Sequence, residues 1–108
     1  MILLIRDRAT PHQIEQMFEC HKFYVKMAVD VERSILAGGG QLHADCEAIL
    51  LEDGSRQTDI WGASWMPSTQ KMIYESMVNL RPRQNRSMEI LDPSIRQRIA
   101  QITQQLIG

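Results

Sequence analysis

Phe23-Tyr24-Val25-Lys26-Met27-Ala28-Val29-Asp30-Val31-Glu32 sets Phe23, Val25, Met27, Val29 and Val31 on one side of an alternation and Tyr24, Lys26, Ala28, Asp30 and Glu32 on the other. Period two in a β-branched run is the pattern of a strand with one apolar face. A helix would also gather Tyr24, Met27, Ala28, Val31 and Ile35 on one stripe, but the valines lower helix propensity and the alternation is cleaner. The strand reading decides the fold class, because it turns the flanking segments into sheet partners. Glu32 to Ser34 can turn the chain, Ile35 to Ala37 can return as a short strand, and Gly38, Gly39 and Gly40 break it.

Upstream, Ile2 to Ile5 is a short apolar run closed by Arg6 and Asp7, the pattern of a strand buried on both faces and hence central in a sheet. Thr10, Pro11, His12 and Gln13 then combine an N-cap, a proline at the first helical position and a glutamine at capping-box spacing. Ile14, Met17, Phe18 and His21 continue at helical spacing, so a first helix runs to about Lys22.

Downstream, residues 42–52 admit two readings. As a helix, Leu42, Cys46, Ile49 and Leu50 share a stripe and Gly54 stands as C-cap. As a strand, Leu42, Ala44, Cys46, Ala48 and Leu50 share a face and Asp53-Gly54 makes a hairpin turn. The helix is favoured by Ala44, Glu47, Ala48, Leu50, Leu51 and Glu52.

Thr58 to Trp65 and Lys71 to Leu80 form two strands joined through Pro67-Ser68, with Trp61 opposite Tyr74 and Ala63 opposite Met72 on the core face. After a loop from Arg81 to Ser87, Asp92 caps a last helix with Pro93 at its first position. Ile95, Ile99, Ile102 and Leu106 form the apolar stripe that should cover the Trp61 and Tyr74 face. The expected fold is therefore α+β, a mixed, mostly antiparallel sheet of about five strands with helices on one face, in the order β-α-β-β-α-β-β-α. A right-handed crossover through the first helix would set the first two strands parallel.

The chain has 108 residues, 44% hydrophobic and 23% charged, with a mean hydropathy of -0.27. That is the composition and size of one globular domain, residues 1–108, and excludes disordered and collagen-like classes. The apolar start is too short for a signal peptide, and no apolar run reaches the roughly 18 residues needed to span a bilayer, so the expectation is a cytoplasmic protein without membrane contact. Cys20 and Cys46 form no CxxC pair and are expected as free, buried thiols. Net charge is -1, unevenly spread. Residues 30–59 hold seven acids against Arg33 and Arg56, a balance of -5, whereas residues 71–98 hold six bases against three acids, a balance of +3. This polarity can steer a partner or join two copies. Ile60, Ile73 and Met77, on the sheet face away from the core, are expected to form an apolar patch for a homodimer.

Two sets of residues carry chemistry. His43 and Glu47 lie four apart and share a face of either a helix or a strand; on a strand Asp45 joins them. Imidazole with carboxylates suits a divalent metal ion such as zinc, manganese or nickel, although a His-Glu pair on a solvated helix face is the commoner meaning of this spacing. Asn79, Arg81, Arg83, Asn85, Arg86 and Ser87 crowd a stretch of nine residues. The guanidinium forks of Arg81, Arg83 and Arg86 with the Asn85 amide can hold the phosphate or carboxylate of a small anionic ligand, the alternative being an exposed loop paired with the acidic middle third. Base readout would need aromatics beside these arginines, but Tyr24, Tyr74, Trp61 and Trp65 fall in strands, so nucleic acid is set aside.

Asp30-Val31-Glu32-Arg33, Ala37 to Gly40, His43 to Glu47, Leu51 to Ser55 and Trp61-Gly62, followed by Asn79 to Pro82, Asn85 to Ser87 and Asp92-Pro93, resemble a family of small bacterial proteins of unknown function, frequent in cyanobacteria. The resemblance covers nearly the whole chain. It implies a free-standing, single-domain cytoplasmic protein and supplies no activity or catalytic residue. From the residues themselves, a non-enzymatic binding or regulatory module acting as a homo-oligomer is preferred. The alternative is a metal-dependent hydrolase in which His43, Asp45 and Glu47 hold an ion and the arginines hold an anionic, phosphoester-like substrate. No nucleophile with its base can be named from the sequence.

Overall fold

The alternation at the start of the preceding section becomes β2, Val25–Asp30, at the centre of a five-stranded sheet in a computed structural model that describes all 108 residues. The other elements are β1 (Leu3–Ile5), α1 (Pro11–Met17), β3 (Ile35–Gly38), α2 (His43–Glu52), β4 (Ile60–Met66), β5 (Lys71–Ile73) and α3 (Pro93–Leu106). Short 3-10 turns occupy Gln57–Asp59 and Met77–Asn79. The architecture is α+β and the strand order is β1-β3-β2-β4-β5. Every neighbouring pair is antiparallel, so the sheet is not mixed. β1 and β2 do point the same way, as a crossover through α1 requires, but β3 lies between them.

Local signals work as read. Thr10 Oγ1 accepts from the Gln13 backbone N–H at 3.1 Å while Gln13 Oε1 accepts from the Thr10 N–H at 2.9 Å, a complete capping box. α1 stops at Met17, short of the expected Lys22. Asp30 Oδ1 accepts from the N–H groups of Glu32 and Arg33 at 2.9 and 3.0 Å, which makes the turn between β2 and β3. Residues 43–52 are helical, and Gly54 follows with φ +98°, the left-handed stop that glycine provides.

The helices lie on both sheet faces, which corrects the expectation of one face. Val25, Met27, Val29, Trp61, Ala63 and Trp65 face the stripe Ile99, Ile102 and Leu106 of α3 and the end of α1 at Met17. Ala28, Ile35, Ala37 and Ile60 face Cys46 and Leu50 of α2. The small side chains of Ala28 and Ala37 make room for α2 to sit close, a signal easily taken for a polar face. The same two-sided cover explains β1. It is an edge strand, not a central one, yet Leu3 and Ile5 pack into one cluster and Ile2 and Leu4 into the other.

The last hairpin differs in register and extent. Trp65 stands opposite Met72 and Ser64 opposite Ile73, a slide of two residues that leaves each side chain on its expected face because the period is two. A four-residue turn, Pro67 to Gln70, replaces the two-residue loop, with Gln70 at φ 54°. β5 ends at Ile73, where the sequence suggested a strand to Leu80. Beyond it the chain keeps one isolated bridge, Glu75 to Glu89, and then turns into the Met77–Asn79 segment. Of the patch Ile60, Ile73 and Met77, Ile60 is wholly buried beneath α2, while Ile73 and Met77 are exposed. Of the expected apolar face for a second copy, the chain's own helix thus covers Ile60 alone.

Candidate functional site

Because β5 pairs only with Ser64 to Met66, the first half of β4 has no strand on its outer side. Side chains fill that place. The Asn79 carboxamide accepts from the Gly62 N–H at 2.8 Å and donates to the Gly62 carbonyl at 2.9 Å, copying the two bonds of a neighbouring strand residue. Arg81 Nη2 donates to the Ile60 carbonyl, and its Nη1 donates at 3.1 Å to both the Thr58 carbonyl and Gln84 Oε1. Asn85 Nδ2 donates to the carbonyls of Asn79, Ser87 and Glu89 at 3.0, 2.8 and 2.8 Å, and its Oδ1 accepts from the Leu91 N–H at 3.1 Å. The loop expected to hold a ligand is therefore first a wall built on itself.

This divides the four expected anion-binding residues. Arg81 and Asn85 are buried, 6% and 4% exposed, with Arg81 Nη1 and Nη2 and the Asn85 amide bonded within the chain, although Asn85 also lines the hollow described below. The Arg81 guanidinium lies over the Trp61 ring at 4.1 Å, a cation–π stack. Burial pulls its pKa down, and the negative charges of Glu47 and Asp59 oppose that shift. Neither makes an ion pair with it: Asp59 pairs instead with Arg56 Nε at 2.9 Å. Arg81 Nε and Glu47 Oε2 are both buried without a partner.

Arg83 and Arg86 are the other half. Both are exposed, and neither forms an ion pair with the chain's own carboxylates. Arg86 is steadied by donation from Nε to the Pro82 carbonyl at 2.9 Å, which leaves its terminal nitrogens free. The two flank an open hollow of about 670 Å³ with Gln84, Trp61 and Leu91, bounded by Asp92 at the start of α3. Asp92 is occupied as the helix cap, its Oδ1 accepting from Ser94 Oγ at 2.7 Å and from the Ser94 N–H at 2.9 Å, and those bonds hold its carboxyl below the usual range.

The other expected set, His43, Asp45 and Glu47, is not brought together. On α2 the first and last lie one turn apart, while Asp45 is rotated by about 200° at 100° per residue and is exposed on the outer surface. No group of three His, Cys, Asp or Glu side chains is placed to hold a metal ion. His43 Nε2 is 3.0 Å from the Ala63 carbonyl, which can only accept, so that nitrogen carries the proton. Burial pushes its pKa down, which favours the neutral imidazole. Ser64 Oγ is 3.3 Å from the same nitrogen, which as a donor cannot serve the hydroxyl as a base. Of the thiols, Cys46 is buried beside the Lys26 carbonyl and pushed up to about 11 by burial, whereas Cys20 is exposed, unlike the expectation.

Sequence reading missed a cavity of about 270 Å³ between β2, the start of α2 and the turn after β5, lined by Lys26, Leu42, His43, Ser76, Met77 and Val78. The signal was Lys26, a lone cation on the face whose neighbours on that strand, Ala28 and Asp30, are fully buried. Only the three-dimensional placement of Ser76 to Val78 over Gly62 reveals it.

No helix is long and apolar enough to cross a membrane. No curated protein matches the chain, and no solved structure does. One family model matches residues 3–106, nearly the full length, and on that match the chain belongs to the family described as protein of unknown function (DUF5674).

Proposed function

We propose that the protein is a non-enzymatic binding module whose arginine loop takes a small oxyanion, phosphate or carboxylate in chemistry. The observation that carries the reading is the pairing of Arg83 and Arg86, exposed and free of carboxylate partners, across the largest hollow of the surface. Arginine forks bind such groups through paired N–H donors. Arg81, Asn79 and Asn85 serve them by fixing the loop in place, so little ordering is left for the ligand to impose. The reading needs no second copy and no metal. The hydrolase alternative required His43, Asp45 and Glu47 to hold an ion, and the helix sets Asp45 apart from the other two.

The test is calorimetric titration of pyrophosphate at fixed ionic strength into the parent and an Arg83→Ala, Arg86→Ala double variant. The expected result is saturable binding in the parent, weakened by about tenfold or more in the variant, equivalent to about 1.4 kcal/mol. Equal affinities, or no saturation in the parent, would overturn the proposal.

A further inference from the structure

Lys26 stands on the α2 side of β2, opposite Ser64, and is half-buried. Its ammonium forms no ion pair and its side chain makes no hydrogen bond within the chain. No carboxylate of the chain pairs with that ammonium, which leaves it open to an anionic group from outside. Of the carboxylates on α2, Asp45 is exposed to solvent and Glu47 lies a turn further along the His43 face, and neither pairs with Lys26. Ser76 Oγ accepts from the Val78 N–H at 3.3 Å, so its own proton is free to donate. Gly62 makes this placement possible, since a Cβ there would lie 2.6 Å from Ser76 Oγ and 2.7 Å from Val78 Cγ2.

The rest of the cavity is apolar. Leu42 and Met77 stand at its rim 56% and 79% exposed, two large side chains on neighbouring elements with Val78 and Ala44 beside them. A cation and a hydroxyl at the floor with an apolar rim define an amphiphile. The volume of about 270 Å³ lies just below the roughly 300 to 1,000 Å³ of drug-sized sites, so the ligand is small. We infer that this cavity binds a short aliphatic carboxylate, its head on Lys26 and Ser76 and its tail between Leu42 and Met77. The site is separate from the arginine loop and does not depend on it.

The experiment follows backbone amide shifts by NMR during titration with hexanoate and, separately, 1-hexanol. Hexanoate should shift Leu42, Ala44, Met77 and Val78 saturably in the parent and in the Arg83→Ala, Arg86→Ala variant alike. Lys26→Met should weaken it by tenfold or more, and hexanol should bind the parent tenfold or more weakly than hexanoate. Met77→Ala, at a highly exposed position that leaves the fold intact, should weaken hexanoate several-fold. Unchanged affinity in Lys26→Met or Met77→Ala, shifts confined to the arginine loop, or no saturation in the parent would overturn the inference.

Discussion

Asn79 pairs with Gly62 as one strand residue pairs with another, Oδ1 accepting at 2.8 Å and Nδ2 donating at 2.9 Å. The relationship ends the need for a longer β5 and frees the chain to form the arginine loop. Asn79 is wholly buried, and its Nδ2 lies 3.2 Å from the Met88 carbonyl as well. Removing it leaves a buried N–H and buried carbonyls without partners. Asn79→Ala should therefore cost about 2–4 kcal/mol of unfolding free energy in denaturant titration, and Asn79→Asp a similar amount because it lacks the donor. A loss below about 0.5 kcal/mol would show that water satisfies the edge of β4.

Ile99 packs in the same cluster as Trp61, Met27 and Val29 and is fully buried. Ile99→Asp places a carboxylate there with no partner. It should destabilise by more than about 4 kcal/mol, leaving the chain largely unfolded by circular dichroism at 25 °C. A melt matching that of the parent would remove the packing of α3 on this face.

The sheet was legible where alternation was strict and where a cap had its own chemistry. Thr10 to Gln13, Gly54 and Asp92-Pro93 announce helix ends because their bonds are local. Less legible was the far face of β2. Ala28 and Asp30 look like solvent-side residues in an alternation, yet Ala28 lies under α2 and Asp30 is buried making the turn to β3. The extent of β5 could not be read from Lys71 to Leu80 because the competitor to continued pairing is the Asn79 side chain. Its bond to Gly62 spans seventeen residues. The arginine cluster was located correctly as a loop, but which arginines face outward depends on Trp61 and the carbonyls of Thr58 and Ile60, which spacing does not encode.

Two glycines separate backbone freedom from space. Gly54 has φ +98° and nothing within 4 Å of a Cβ, so Gly54→Ala should cost only the left-handed penalty of about 1 kcal/mol. Gly62 has no such φ but faces Ser76 and Val78 closely, and Gly62→Ala should cost about 1–3 kcal/mol through overpacking. Equal small losses in denaturant midpoints would contradict the close approach of the Ser76 segment.

His43 gives the fold a pH dependence. Burial, with the positive charge of Lys26 adding to it, holds its folded pKa below the ordinary 6.5. The unfolded chain therefore binds the proton more readily. The contribution of His43 to stability is complete above pH 6.5 and is lost as pH falls from there through the lowered folded value. Thermal melts at pH 7.5 and 5.5 should show a larger drop for the parent than for His43→Gln, which carries no titrating ring. Equal drops would place His43 in solvent.

The central claim is the division of the loop between Arg81, which builds it, and Arg83 with Arg86, which meet the ligand. Denaturant stability and pyrophosphate affinity measured on the same two variants test it most directly. Arg81→Ala should lose about 2–4 kcal/mol of stability, since the Ile60 carbonyl loses its guanidinium donor, the Thr58 carbonyl keeps only Gln84 Nε2, and Trp61 loses its cover. The Arg83→Ala, Arg86→Ala variant should stay within about 0.5 kcal/mol of the parent, as surface changes do, while losing affinity by about tenfold. The reverse pattern, a destabilised double variant that still binds and an Arg81→Ala protein as stable as the parent, would contradict the account.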